Sequence, residues 1–171
     1  MGLMDILQNY MNNANAAPAG DAHNHFDQVA TSAPPEVVSN GLADAFRSSN
    51  TPPFGQMVGQ LFGNSNPQQQ AGVLNQLISG LGPGVLSGLG GGLLGRVLGG
   101  GATSSPQLTP EQASQLTPEQ VQQIATHAEQ HNPGIVDSVS GFYAQHPQLV
   151  KTLGSAALTV ALAGMANRMK R

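Results

Sequence analysis

Residues 80–101 read GLGPGVLSGLGGGLLGRVLGGG, and eleven of these 22 positions are glycine. Most of the rest are leucine or valine. Two series at four-residue spacing run through the stretch: Gly80, Gly84, Gly88 and Gly92, then Gly91, Gly95 and Gly99 one position out of step. Positions four apart share a helix face, so each series predicts a smooth groove that another helix backbone can enter. Interior glycine costs a helix about 1 kcal/mol against alanine, so the eleven together cost on the order of 10 kcal/mol. Such a helix needs close packing or lipid to stand. Pro83 removes an amide donor and crowds the preceding turn, which leaves a broken helix and loop inside the fold as the alternative.

The composition around this stretch excludes several classes of function. Only 9% of the 171 residues are charged, against about a quarter in an ordinary domain, so electrostatics contributes little to the fold. Net charge is −3, and the six basic residues, Arg47, Arg96, Lys151, Arg168, Lys170 and Arg171, are too scattered to track a phosphate backbone. Nucleic acid is therefore not an expected partner. The chain has no cysteine, hence no disulfide, no thiol nucleophile and no thiolate metal site. The opening MGLMDILQNYMNN lacks the basic start and apolar run of a secretory signal and carries Asp5. A myristoylation site would need Ser or Thr where Ile6 stands. The expected location is cytoplasmic, with the periphery of the inner membrane as the alternative.

Along the chain, Leu3, Ile6, Leu7, Tyr10 and Met11 fall on one face of a short helix, an amphipathic docking face for the body of the fold, a partner or a membrane surface. Residues 12–21 read as a linker. Four helices are predicted between Asp21 and Gly82: one capped by Asp21, one opening at Pro34-Pro35-Glu36, one with Thr51 as cap and Pro52 in its first turn, and one with Asn66, Pro67 and Gln69 forming a capping box. Their stripes predict a shared core centred on Phe26, Phe46, Phe54 and Phe62. Leu-Thr-Pro-Glu-Gln then occurs twice, at 108–112 and 116–120, each a threonine cap with glutamine three residues on. The first predicts a single turn, the second a helix ending near His131. Another helix follows to Gln145, and a last one starts near Pro147. That last helix carries a small-residue face of Gly154, Ala157, Ala161 and Gly164, suited to close packing, and a basic tail. Its uncharged run from Thr152 to Asn167 is shorter than the roughly twenty residues a membrane-spanning helix needs.

Chemistry has few anchors. His127 and His131 stand four apart on one helix face, a spacing that suits a divalent metal, with His23, His25, His146 or Asp137 as candidates to complete the site. Glu129 is misplaced for the zinc-protease motif. Two solvated histidines near a helix C-terminus is the competing interpretation. His23 and His25, with Asp27 nearby, form a similar but weaker cluster, since residues two apart point in different directions on a helix. Gly90-Gly91-Gly92-Leu93-Leu94-Gly95 spells the dinucleotide-binding glycine pattern, but no strand precedes it. No P-loop lysine or nucleophile elbow is present.

The Met1-Gly2-Leu3 opening with an acidic residue close behind, the leucine-glycine centre, and the C-terminal part opened by Thr117-Pro118-Glu119-Gln120 together resemble the YidB-like bacterial proteins. That resemblance implies no catalytic residues. By composition the chain is also similar to harpins, although its caps and stripes are better formed than those of a largely disordered elicitor. The expectation is an all-α fold of seven or eight short helices in two clusters, with a glycine-rich central helix or broken helix. Residues 1–20 form the amphipathic helix and linker, 21–100 the first helical domain, 101–107 a linker and 108–171 the second domain. The expected function is that of a non-enzymatic bacterial structural or interaction protein without cofactor, a homo-oligomer held by its glycine-lined and alanine-lined helices, with a membrane surface as a further partner. A helical domain with a histidine metal site and a monomeric helical protein are the alternatives.

Overall fold

The computed structural model describes residues 2–12, 21–90 and 107–170, the side chains of 83–90 excepted. Among the described residues the chain is all-α, with ten helices and no strand. They are α1 (Leu3–Asn12), α2 (Ala22–Ser32), α3 (Pro35–Arg47), α4 (Phe54–Gly63), α5 (Pro67–Gly90), α6 (Pro110–Ala113), α7 (Pro118–His131), α8 (Ile135–Ala144), α9 (Pro147–Val150) and α10 (Ser155–Met169). The count exceeds the seven or eight expected because α6 and α9 are single turns, the second cut from α10 at Lys151–Gly154.

Local side-chain caps set the starts of α5, α6 and α7. Asn66 and Gln69 exchange side-chain and backbone hydrogen bonds at 3.1 and 2.9 Å. Thr109 with Gln112 and Thr117 with Gln120 form two further reciprocal capping boxes, each at 3.0 and 3.3 Å. These satisfy amide donors that the first helical turn leaves orphaned. Thr117→Ala is expected to lower stability by about 1 kcal/mol, read as a shift of the urea midpoint at unchanged slope. Two predicted caps differ. Asp21 makes no side-chain cap bond. Thr51 does not cap α4, which begins only at Phe54; it is buried, and its hydroxyl donates to the carbonyls of Ala45 at 2.5 Å and Ser48 at 3.0 Å. Thr51 thus closes the C-terminal end of α3, where free carbonyls need donors.

The chain forms two compact units, residues 1–53 with 140–171 and residues 54–139. The grouping follows packing and not chain order, whereas the sequence suggests the sequential clusters 21–100 and 108–171. In the first unit α10 lies along α3, and α1 packs on α10 and α2. Its core includes Phe26, Val29, Leu42, Phe46, Tyr143, Leu158 and Leu162. In the second unit α4 lies along α7, and α5 packs on α6 and α7, around Phe54, Met57, Leu61, Phe62, Leu74, Leu77 and Ile124. The four phenylalanines expected at one centre are all buried, but Phe26 and Phe46 belong to one unit and Phe54 and Phe62 to the other.

The glycine-rich stretch enters the second unit as the end of α5. Its backbone breaks at Gly82, with φ 71° and ψ 163°, a conformation open to glycine and strained for other residues. The break comes just before Pro83, which disfavours helical geometry in the residue ahead of it and cannot donate to the preceding turn. The carbonyl of Gly80 accepts instead from the Asn132 side chain at 3.2 Å. A second amide clamp holds the chain where it returns: Asn75 of α5 accepts from the Leu108 backbone N–H at 2.7 Å and donates to the Leu108 carbonyl at 3.3 Å.

Candidate functional site

Small residues are the feature the sequence marks for function, and among the described residues several glycines stand at helix crossings. In the second unit, Gly55, Gly59 and Gly63 recur at four-residue spacing on α4 and face Pro118, Gln122 and Thr126 of α7, themselves four apart. A Cβ on Gly55 would lie 2.7 Å from the Gln122 carbonyl oxygen, and one on Gly59 would lie 2.7 Å from that of Pro118. Both are closer than a carbon can approach, so the two backbones meet only because glycine is there. In the first unit, a Cβ on Gly41 of α3 would lie 2.7 Å from the Ala161 carbonyl oxygen of α10 and overlap the Met165 side chain; one on Gly164 would meet Asp44 and the Gly41 backbone.

The predicted packing residues therefore divide. Ala157, Ala161 and Gly164 are buried, and Ala161 and Gly164 lie against α3 in their own unit. Gly154 is exposed, and a methyl added there would meet nothing within 4 Å; it is the N-cap of α10 and stands outside that face. Gly80 packs against Ile135, within the second unit. Gly84 and Gly88 lie in the helical backbone after the break, and Gly91, Gly92, Gly95 and Gly99 fall outside the described residues. Gly41, Gly55, Gly59 and Gly63 are not among the expected sites. The spacing of the last three is present in the sequence, but glycine density draws attention to residues 80–101.

The amphipathic face of α1 docks on its own unit. Ile6, Leu7 and Tyr10 are buried, while Leu3 and Met11 are half-buried at the edge. The Tyr10 hydroxyl meets His25 Nδ1 at 2.8 Å, and the rings stand edge to face with centroids 5.6 Å apart. Burial, then the negative charge of Asp21, raises the Tyr10 pKa, so the phenol stays protonated and available to donate. α1 and α10 leave a cleft of about 270 Å³ between them, lined by Met4, Leu7, Gln8, Met11, Asn12, Ala166 and Lys170.

His127 and His131 are exposed on α7, and among the described residues no three His, Asp or Glu side chains stand close enough together to hold a metal ion. No described helix is long and apolar enough to cross a membrane. In the first unit Lys151 pairs with Asp27 of α2 at 3.6 Å and Arg168 of α10 with Asp44 of α3 at 3.7 Å. Both are partly exposed, where such pairs contribute little. One buried polar atom among the described residues has no hydrogen-bond partner, the Tyr143 hydroxyl; its ring packs against Phe46 and Phe142. Compared with protein-family models, curated proteins and solved structures, the chain finds no match.

Proposed function

We propose that this is a non-enzymatic helical interaction protein that self-associates through the glycine series of residues 84–99. The α4–α7 crossing is the observation that supports this most directly, because it uses the same four-residue glycine spacing to seat one helix backbone on another. The alanine-lined face of α10 drops out as a contact between copies, since Ala161 and Gly164 already pack against α3. Gly84, Gly88 and Gly92, with Gly91, Gly95 and Gly99, carry the remaining series. Replacing Gly88 and Gly92 together with leucine puts two bulky side chains into this series, and the expected result is a fall in native mass by light scattering at unchanged helical content. Unchanged mass in the double variant rules out assembly through this face.

A further inference from the structure

We infer that the cleft between α1 and α10 binds a single-chain carboxylate, an anionic amphiphile of the fatty-acid class. Its walls are apolar along Met4, Leu7, Met11 and Ala166, and Lys170 stands at its rim. Met4 and Met11 are seven positions apart on α1, about 10 Å along the axis, a span that an extended alkyl chain of about eight carbons covers. Met4, 48% exposed, is the one large apolar side chain left in solvent among the described residues. Methionine is unbranched and polarizable, and it adapts to a flexible apolar ligand better than leucine does.

Lys170 supplies the selectivity. Its side chain is exposed and has no ion-pair partner among the described residues, whereas the neighbouring Arg168 is engaged by Asp44. Asp5, the acidic residue of α1, is not part of the cleft wall; its carboxylate accepts from the Gly2 backbone N–H at 3.3 Å. Among the described residues the cleft therefore combines apolar side chains with an uncommitted cation, Lys170. Gln8 adds an amide that can donate to the same head group. A charge-assisted bond from an ammonium to a carboxylate outweighs one between neutral partners, so decanoate should bind more tightly than decanol.

The test uses the full chain with 13C-methyl-labelled methionine. On adding decanoate, the Met4 and Met11 signals are expected to shift in a saturable way, while Met57, buried in the other unit, stays in place. Lys170→Gln should weaken decanoate binding about tenfold, one charge-assisted contact, and leave decanol binding as it was. Absence of any Met4 or Met11 shift below the micelle concentration overturns the assignment. So does equal binding of decanoate and decanol that Lys170→Gln leaves unchanged. Because the readout is local to α1, either result is independent of whether the protein self-associates.

Discussion

Gly41→Leu is expected to lower the stability of the chain by about 3 kcal/mol, the upper part of the range for overpacking a tight core. The first added carbon already falls 2.7 Å from the backbone oxygen of Ala161 and overlaps Met165. Met165 could turn aside, but the Ala161 carbonyl belongs to the α10 backbone and cannot move without the helix. α3 and α10 must separate, and the burial of Leu42, Phe46, Leu158 and Leu162 loosens with them. The chain offers a selective readout, since it has no tryptophan and both tyrosines, Tyr10 and Tyr143, belong to this unit. Tyrosine fluorescence should therefore report unfolding at lower urea than in the parent. Gly154→Ala is the matched control, placed where a methyl meets nothing, and should stay within about 0.5 kcal/mol of the parent. Equal midpoints for Gly41→Leu and the parent would show that the α3–α10 crossing is not as close as described.

Tyr143→Phe should raise stability by about 2 kcal/mol at neutral pH, a gain obtained by deleting a polar atom. Its hydroxyl is buried without a partner, and an unsatisfied buried donor costs roughly 1–3 kcal/mol. The ring, which makes the contacts with Phe46 and Phe142, is retained. A second effect appears in alkali. Burial holds the Tyr143 phenol far above its ordinary value, so the folded chain keeps a proton that the unfolded chain releases near pH 10. A group raised in this sense adds no pH dependence below pH 10 and lowers stability above it, at up to about 1.4 kcal/mol per pH unit. Tyr10 is raised in the same direction and keeps its share in the variant. Urea midpoints between pH 7 and pH 11.5 should thus fall less steeply for Tyr143→Phe than for the parent. Parallel curves with no offset would mean that the hydroxyl has a partner.

Legibility in the sequence follows the range of the interaction. The capping boxes of Asn66, Thr109 and Thr117 are readable because cap and partner lie three residues apart. The stripe of α1 is readable because one helix face decides which of its residues are buried. Thr51 misleads because it looks like a start signal for α4, while the acceptors it finds lie behind it in α3. The partition of the four phenylalanines is not legible, since each stripe is equally apolar and only tertiary packing sends Phe26 and Phe46 to one core and Phe54 and Phe62 to another. The close crossings have a partial signal: spacing on α4 announces a groove, but a single glycine such as Gly41 carries none until its neighbour on α10 is known.

Asn75 and Gly80, where the two amide clamps grip, stand five positions apart on α5, about 7.5 Å along the axis. The Asn75 clamp holds Leu108 and the Gly80 clamp holds Asn132, so two points remote in sequence are fixed within two turns of one helix. Between them the clamps tie α5 to the return of the chain at Leu108 and to the end of α7 at Asn132, so the loss of either amide, at Asn75 or at Asn132, acts on the second unit and leaves the packing of the first as it was.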